Sequence, residues 1–314
     1  MDIRVFDSQE LATVFQVLRT ALNPGESLAP PERVFLQTYA KITDFTLSAQ
    51  DPPVIRPQEV RIAGAHRRKR LIQLAAIAAL LSNPVRKESV AFIHELAREL
   101  ATTEPVLAVL EALVKGQRLK ARLLTARRGL TTMVGEARLA EGIPGVLRFA
   151  GALLFKTTVN RNKVWDYKRL GLLPEGTLGR EYWKHLTELG FGFPGEPAGI
   201  PDSAAYHDVA HVLADHDTTP LGEIQQGSFQ GGNRRADGFF FIQFVLLQFH
   251  QGLQITPIAA PEVGKFDPAK VLWAIHRGAA CPVDFTHQWN FWPLMQLPLS
   301  EARARCGLLP KLAQ

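Results

Sequence analysis

The chain has 314 residues, of which 46% are hydrophobic and 21% charged, a composition typical of a soluble globular protein with a substantial core. Its two cysteines, Cys281 and Cys306, exclude a disulfide framework and a C-x-x-C metal pair, and they suit a reducing compartment. No apolar run reaches the roughly 20 residues that cross a bilayer, and no signal or transit sequence is recognisable, so we expect a cytoplasmic protein.

The net charge of +6 is unevenly distributed along the chain. Residues 115–169 contain thirteen Lys or Arg and three acids, a local charge of +10, which leaves −4 for the remainder. A concentrated positive segment favours an anionic partner, either a membrane surface or a nucleic acid. Aromatic residues are sparse among these charges and no nucleic-acid-binding motif is present, so we predict an anionic membrane surface and no nucleic acid.

Residues 1–115 have the apolar periodicity of α-helices and form the first predicted domain. The predicted helices begin near Ser8, Pro30, Arg67, Lys87 and Pro105. The stretch from Leu71 to Leu81 is apolar nearly all round, which predicts a helix buried in the core. This region resembles a TerB-type helical domain, but its turn at Arg86-Lys87 is basic where that group has acidic residues that can hold metal. We therefore expect residues 1–115 to fold alone and to bind no metal.

Residues 116–165 form a predicted basic helical connector. Its first part alternates leucines with arginines, namely Arg118, Arg122, Arg127 and Arg128. Its second part mixes apolar residues such as Leu153, Leu154 and Phe155 with basic ones. This amphipathic pattern fits a helix on an anionic membrane surface, and it fits equally well an inter-domain helix pair packed on the core. Membrane contact of this kind would be peripheral, at the inner face of the cell membrane.

Residues 166–314 form the third predicted unit, which is also helical. Thr177 caps a helix that runs to Leu189, and Asp267-Pro268 begins another that ends at Arg277-Gly278. Ser300 is the predicted cap of the last helix. No alternating strand pattern is present, so the predicted fold is all-α, with two helical domains joined by the connector.

Two segments of this third unit have more than one interpretation. The Gly-rich run at residues 225–235 contains two arginines and could receive an anionic group, but it lacks a phosphate-loop pattern and is more simply predicted to be a loop. The Phe-rich stretch from Ala236 to His250 predicts a helix. Its aromatic side chains could form part of the core or line a tunnel for an isoprenoid tail.

The pattern most informative about function is the segment His207-Asp208-x-x-His211. Residues four apart share one face of a helix, so the imidazoles of His207 and His211 can reach the same point. Thr219-Pro220 then ends that helix and starts another, and Glu223 lies one turn into it, where a short hairpin could return it to the histidines. Two imidazole nitrogens and one or two carboxylate oxygens suit zinc or ferrous iron. The histidine pair alone is also typical of packed or surface groups.

His-Asp-x-x-His, followed after eleven residues by Glu223, resembles the signature of the coenzyme Q biosynthesis protein 4 family. Residues 173–182, with the sequence LPEGTLGREY, resemble a second segment of that family. The region from Trp273 through Cys281-Pro282 to Trp289 resembles a third. The resemblance covers residues 166–314, about half of the chain. It departs from the family at residues 190–201, where the approach to the metal helix is shorter and richer in Gly and Pro.

The resemblance implies a metal-dependent protein of ubiquinone (coenzyme Q) biosynthesis. The residues carried over as metal ligands and catalytic residues are His207, Asp208, His211 and Glu223. The metal would be divalent, with zinc as the first expectation and iron(II) as the alternative. The implied substrate is a prenylated quinone precursor, and the implied activity is that of a lyase or hydroxylase that oxidatively removes the carboxylate at ring position one. Other quinone-biosynthesis proteins would be its partners.

Two other functions fit the same residues. One is a non-catalytic scaffold or prenyl-lipid-binding protein, in which the metal clamps two helices and the Phe-rich groove holds an isoprenoid lipid. The other is an HD-type phosphohydrolase, suggested by the adjacent His207 and Asp208, with His185 as the nearest upstream histidine. That second scheme gives Glu223 no role. The sequence leaves open whether the chain forms a homodimer.

Overall fold

The computed structural model describes residues 1–25, 27–129, 161–196, 202–256, 259–285 and 289–312. Within these ranges the regular structure is helical and contains no β-strand, which confirms the predicted all-α class. No helix in them combines the length and the apolar composition that crossing a bilayer requires. The second half of the basic connector, including Leu153, Leu154 and Phe155, lies outside the described residues.

The helices of the N-terminal part begin and end close to their predicted positions. They are α1 (Ser8–Leu22), α2 (Pro30–Thr43), α3 (Ala65–Leu80), α4 (Lys87–Glu99) and α5 (Val106–Val114), with a short 3-10 helix at Pro57–Glu59. Every residue of α3 from Leu71 to Leu80 is buried, as the apolar run predicted. Helix α3 therefore forms the centre of this part of the fold.

Helix α6 comprises residues 118–129 and begins the basic connector. It packs on the core through Ala121 and Thr125, both fully buried. Arg118 donates to the carbonyl oxygens of Gln251 and Gly252 at 3.0 and 2.8 Å. Arg128 pairs with Asp237 and donates to Gln243 Oε1 at 3.1 Å. Arg118 and Arg128 thus make contacts inside the fold.

The C-terminal part contains seven further helices among the described residues. They are α7 (Arg161–Arg169), α8 (Leu178–Glu188), α9 (Asp202–Ala214), α10 (Pro220–Asn233), α11 (Phe239–Phe249), α12 (Pro268–Ala280) and α13 (Leu299–Arg305). The predicted caps at Thr177 and Asp267 are confirmed, since each side chain accepts a backbone N–H of its helix. The predicted cap at Ser300 is wrong, because α13 already begins at Leu299 after Pro298.

The Gly-rich run at residues 225–235 is not the predicted loop, because α10 continues through it to Asn233. Its glycines allow neighbouring helices to approach closely. A Cβ at Gly232 would lie 2.1 Å from the Ile275 carbonyl oxygen of α12, and one at Gly278 would lie 2.0 Å from the Phe229 carbonyl oxygen of α10. Contact between α10 and α12 offsets the low helix propensity of glycine.

Buried side chains form two clusters, and the larger one extends across the predicted domain boundary. It combines the cores of α1 to α5 with residues of α10, α11 and α12, for example Ile224, Ile242 and Ile275. Phe239 and Phe249 of the Phe-rich helix belong to it, in agreement with the core interpretation. The smaller cluster joins α7, α8, α9 and α13. The predicted division into two helical domains is therefore not confirmed.

Candidate metal centre

Helix α9 places His207 and His211 on one face, one turn apart. Their rings are edge to face, with centroids 4.6 Å apart, and their Nε2 atoms are separated by 3.0 Å. His211 is almost fully buried, whereas a third of the His207 side chain is exposed. Val209, Ala210 and Leu213 anchor the opposite face of α9 in the smaller core. The expectation that both imidazoles reach one point is confirmed.

A tight turn returns the chain so that Glu223 faces the two histidines. Asp215 adopts a left-handed conformation (φ 59°) just after α9. Thr219 Oγ1 accepts the backbone N–H of Gly222 at 3.2 Å and so caps α10, with Pro220 in its first turn. Glu223 Oε1 lies 3.5 Å from His211 Nε2, and Oε2 lies 3.6 Å from His207 Nε2. The predicted hairpin is therefore present.

Hydrogen bonds on the far side of each ring determine which nitrogen faces the site. His207 Nδ1 is 3.0 Å from Gln230 Oε1, and His211 Nδ1 is 3.1 Å from the His216 carbonyl oxygen. Both partners accept hydrogen bonds, so each Nδ1 is protonated and each neutral imidazole has its lone pair on Nε2. Two nitrogen lone pairs and a carboxylate thus converge on one point, an arrangement that favours a cation.

The spacing of these four atoms, two nitrogens and two carboxylate oxygens, fits a divalent transition metal. Zinc binds imidazole nitrogen and carboxylate oxygen at about 2.1 Å, which gives ligand separations of about 3.4 Å in a tetrahedron and about 3.0 Å between adjacent octahedral positions. The two nitrogens are 3.0 Å apart, His211 Nε2 lies 3.5 Å from Glu223 Oε1, and His207 Nε2 lies 3.6 Å from Glu223 Oε2. His207, His211 and Glu223 therefore form a group that could hold a metal ion.

The charges of the group also favour a cation. Burial lowers the pKa of His207, but the hydrogen bond and the negative charge of Glu223 outweigh burial and raise that pKa from 6.5 to about 9. Burial raises the pKa of Glu223, and the two histidines more than reverse this effect, leaving that pKa far below its ordinary value. The metal-free site therefore holds a proton where a metal would bind.

Asp208, the fourth predicted site residue, lies outside the three-residue group. It is buried, with 6% of its surface exposed. Burial raises its pKa, the two histidines lower it, and Glu223 raises it again. Consecutive residues on a helix are about 100° apart, so Asp208 follows His207 in sequence without sharing its direction. Its role as a ligand or a catalytic group stays a prediction.

His185 of α8 lies beside the site, although the sequence gave it a role only in the phosphohydrolase scheme. Its ring lies over that of His211, with centroids 5.7 Å apart and an interplanar angle of 29°. Its Nε2 is buried without a hydrogen-bond partner in the described part of the chain. Burial and the two nearby histidines lower its pKa to about 4, so the ring is neutral at pH 7.

Sequence reasoning missed the residues that support the ligands, namely His216, Gln226, Gln230 and Arg277. Gln226 and Gln230 lie in the Gly-rich run at residues 225–235, which was predicted to be a loop. Had that run been interpreted as a helix, the spacing of Glu223, Gln226 and Gln230 would have placed all three on one face. His216 and Arg277 meet only through the packing of α12 against α10, which no local pattern reveals.

No protein-family model matches this chain, and a search of curated proteins found no match either. Interpretation of the site therefore depends on its own geometry and on the three segments quoted above. The geometry brings together a histidine pair and a glutamate with a ligand set typical of zinc or ferrous iron. It also places the Glu223 carboxylate beside both histidines, a position that has no function in a phosphohydrolase scheme.

Proposed function

We propose that this chain is a metal-dependent protein of ubiquinone biosynthesis that acts on the ring of a prenylated quinone precursor. The observation that supports it is the convergence of His207 Nε2, His211 Nε2 and the Glu223 carboxylate on one point. Among the described residues no other His, Cys, Asp or Glu side chain joins this group. Two histidines and one carboxylate with open positions form the ligand set of ferrous oxygenases, whereas a structural zinc site is closed by four ligands.

In the proposed site, the metal and the protein side chains have different roles. A divalent metal bound there supplies Lewis acidity and a template for a substrate carboxylate, and ferrous ion adds the capacity for dioxygen chemistry. Gln230 and the His216 carbonyl hold the two imidazoles in the tautomer that presents Nε2 to the site. The exposed side of His207 gives a substrate a direction of approach.

The proposed reaction is an oxidative decarboxylation at ring position one. The bond between the ring and the carboxyl carbon breaks, carbon dioxide leaves and a bond between the ring and oxygen forms. The substrate loses two electrons: water supplies the new ring oxygen, and dioxygen accepts the two electrons and two protons as hydrogen peroxide. Zinc does not change oxidation state, so a zinc-loaded site would be limited to binding and orienting the substrate.

The ligand set makes a direct prediction about metal content. Protein purified without oxygen should contain one divalent metal per chain, as measured by elemental mass spectrometry. His207→Ala, His211→Ala and Glu223→Gln should each lose it, because each removes one ligand. His94→Ala is the control, since His94 is a partly buried histidine of α4 whose Nε2 contacts the Leu107 carbonyl instead. Full metal content in both ligand-histidine variants would contradict the assignment.

Catalysis requires a separate experiment. Iron(II)-loaded and zinc-loaded protein would be incubated in air with a prenylated hydroxybenzoic acid labelled at its carboxyl carbon. Labelled carbon dioxide should be released by the iron(II) form and lost in Glu223→Gln. No release from either form, with metal content intact, would instead favour the scaffold function.

A further inference from the structure

A second set of buried polar side chains lies behind the histidines and takes no part in ligation. It consists of His216 in the turn after α9, Gln226 of α10 and Arg277 of α12. Their exposed fractions are 5%, 0% and 3%. A buried polar group is costly unless its hydrogen bonds are made, so their partners must be accounted for in full.

The direction of each hydrogen bond follows from Arg277, whose guanidinium can only donate. Its Nη1 lies 3.2 Å from His216 Nε2 and 2.9 Å from the Ala214 carbonyl oxygen, and its Nε donates to the Leu309 carbonyl oxygen at 2.9 Å. His216 Nε2 must then accept. The proton of the neutral ring is therefore on Nδ1, which donates to Gln226 Oε1 at 2.9 Å.

This set is connected to both ligand histidines through the backbone. The His216 carbonyl oxygen accepts from His211 Nδ1 at 3.1 Å. Gln226 Nε2 lies 3.5 Å from the His207 carbonyl oxygen, and Gln226 is three residues beyond Glu223 on the same helix. Arg277 also holds the C-terminal end of α9 through Ala214. The position of the carbonyl that fixes the tautomer of His211 thus depends on groups that never reach the metal.

We propose that Arg277 and His216 are positioning residues of the metal centre. Arg277 holds His216 and the end of α9 in place. In this arrangement the His216 carbonyl accepts the Nδ1 proton of His211, and the Nε2 atom of His211 faces Glu223. This inference depends on the proposed metal binding but assigns control of metal affinity to α12, outside the ligand helices. Outer partners of ligating histidines typically change metal affinity by about 10- to 100-fold.

The test compares two arginines that both donate to carbonyl groups near the end of α9. Arg277→Met removes the positioning contact. Arg303→Met is the matched control, because Arg303 of α13 donates to the Leu213 and Val212 carbonyl oxygens at 2.9 and 3.0 Å without contacting His216. Zinc affinity of the full chain would be measured by competition with a chromophoric chelator, and stability by urea unfolding. Arg277→Lys, which retains the charge, replaces the Met variant if that variant does not fold.

We expect Arg277→Met and His216→Leu each to weaken zinc binding about 10- to 100-fold, and the double variant to weaken it little further, since the two residues act through one network. Arg303→Met should stay within about threefold of the wild type. Equal losses in the two arginine variants, or wild-type affinity in Arg277→Met, would overturn the proposal.

A measurement on the metal-free chain tests the positioning role independently of the proposed function. In ¹⁵N spectra of the metal-free chain carrying His207→Ala, in which the protonated His207 ring cannot itself fix the neighbouring imidazole, His211 should be the Nδ1–H tautomer when Arg277 is present and a tautomer mixture when Arg277→Met is added. If the wild type binds no zinc, the proposed function fails, and the tautomer comparison still decides the positioning role. An unchanged His211 tautomer in Arg277→Met would overturn that role whatever the metal result.

Discussion

His207 Nε2 is the atom for which a proton and a metal compete. Burial opposes its protonation, yet Glu223 raises the pKa to about 9, so the ring is protonated at pH 7 in the metal-free chain. A metal needs the neutral imidazole. Zinc binding near pH 7 should therefore release about one proton per chain, which calorimetry in buffers of different ionisation enthalpy measures.

The same competition predicts different pH dependences with and without metal. In the metal-free chain the raised pKa of His207 increases the free energy of unfolding. This contribution is fully present below pH 6.5 and is lost as the pH rises towards about 9. The lowered pKa of Glu223 adds stability above pH 4.5 that is lost in acid. With saturating zinc the folded rings hold no second proton, so stability should rise with pH only while the unfolded histidines lose theirs around pH 6.5, and it should stay level from there to pH 9.

This effect is isolated by the difference in free energy of unfolding between the wild type and Glu223→Gln. Both proteins would be unfolded with urea from pH 5.5 to 9.5 in the presence of a chelator. The difference should shrink steadily above pH 6.5. His185 and His216 have pKa values of about 4 and about 3, and losing the charge of Glu223 lowers that of His185 further, so both rings stay neutral in both proteins across this pH range and cancel. A difference that is constant across this range would show that Glu223 does not control protonation of His207.

Among single residues, the sequence predicted those whose geometry is local. The four-residue spacing of His207 and His211 and the Thr219-Pro220 restart are sufficient to bring Glu223 to the histidines. His185 was not predicted as a neighbour of His211, because it arrives through the packing of α8 against α9. No spacing along the chain encodes that contact.

Helix α10 shows the limit of sequence reasoning at the scale of elements. Its glycines have low helix propensity, which led to the wrong prediction of a loop at residues 225–235. The structure shows why glycines occur here. Gly227 and Gly231 leave room for Val245 and Ile242 of α11, and Gly232 leaves room for the backbone of α12. Propensity describes an isolated segment, and here the packing of two neighbouring helices overrides it.

Helix α6 offers a test of the proposed membrane contact. Arg118 and Arg128 are engaged within the fold, so reversing their charge would disturb packing as well as charge. Arg122 is exposed, and Arg122→Glu changes the surface charge with the least structural cost. Each basic residue near an anionic leaflet contributes about 1 kcal/mol, so this variant should bind anionic vesicles at least about fivefold more weakly.

Vesicle co-sedimentation at low and high salt measures this binding, with neutral vesicles for comparison. Lys87→Glu is the control, because it makes the same charge change at an exposed position of α4. We expect high salt to release the wild type from anionic vesicles. Binding to neutral vesicles of equal strength would remove the electrostatic explanation, and binding to neither would favour the inter-domain role of the connector.

At the scale of the whole molecule, apolar periodicity predicted which face of each helix is buried but not which helix covers it. The first five helices appeared self-contained for that reason. In the structure α12 packs against α2, and Ile275 of α12 shares one core with Leu18 of α1. His250 and Gln251, just after α11, bond to the carbonyl oxygens of Leu81 and Leu80 at 3.0 and 2.9 Å.

A shared core predicts that the chain unfolds as one cooperative unit. All five tryptophans lie between residues 165 and 292, so their fluorescence follows the C-terminal part alone, whereas far-ultraviolet circular dichroism follows every helix. Leu74→Ala in α3 should cost about 2–5 kcal/mol and should shift both signals equally, although no tryptophan lies in its half of the chain. Leu186→Ala in α8 is the reciprocal variant, since Leu186 is fully buried in the smaller core. If Leu74→Ala shifts the dichroism transition but leaves the tryptophan transition unchanged, the prediction that residues 1–115 fold alone is restored. If both signals shift together in both variants, the metal centre is supported by the entire core.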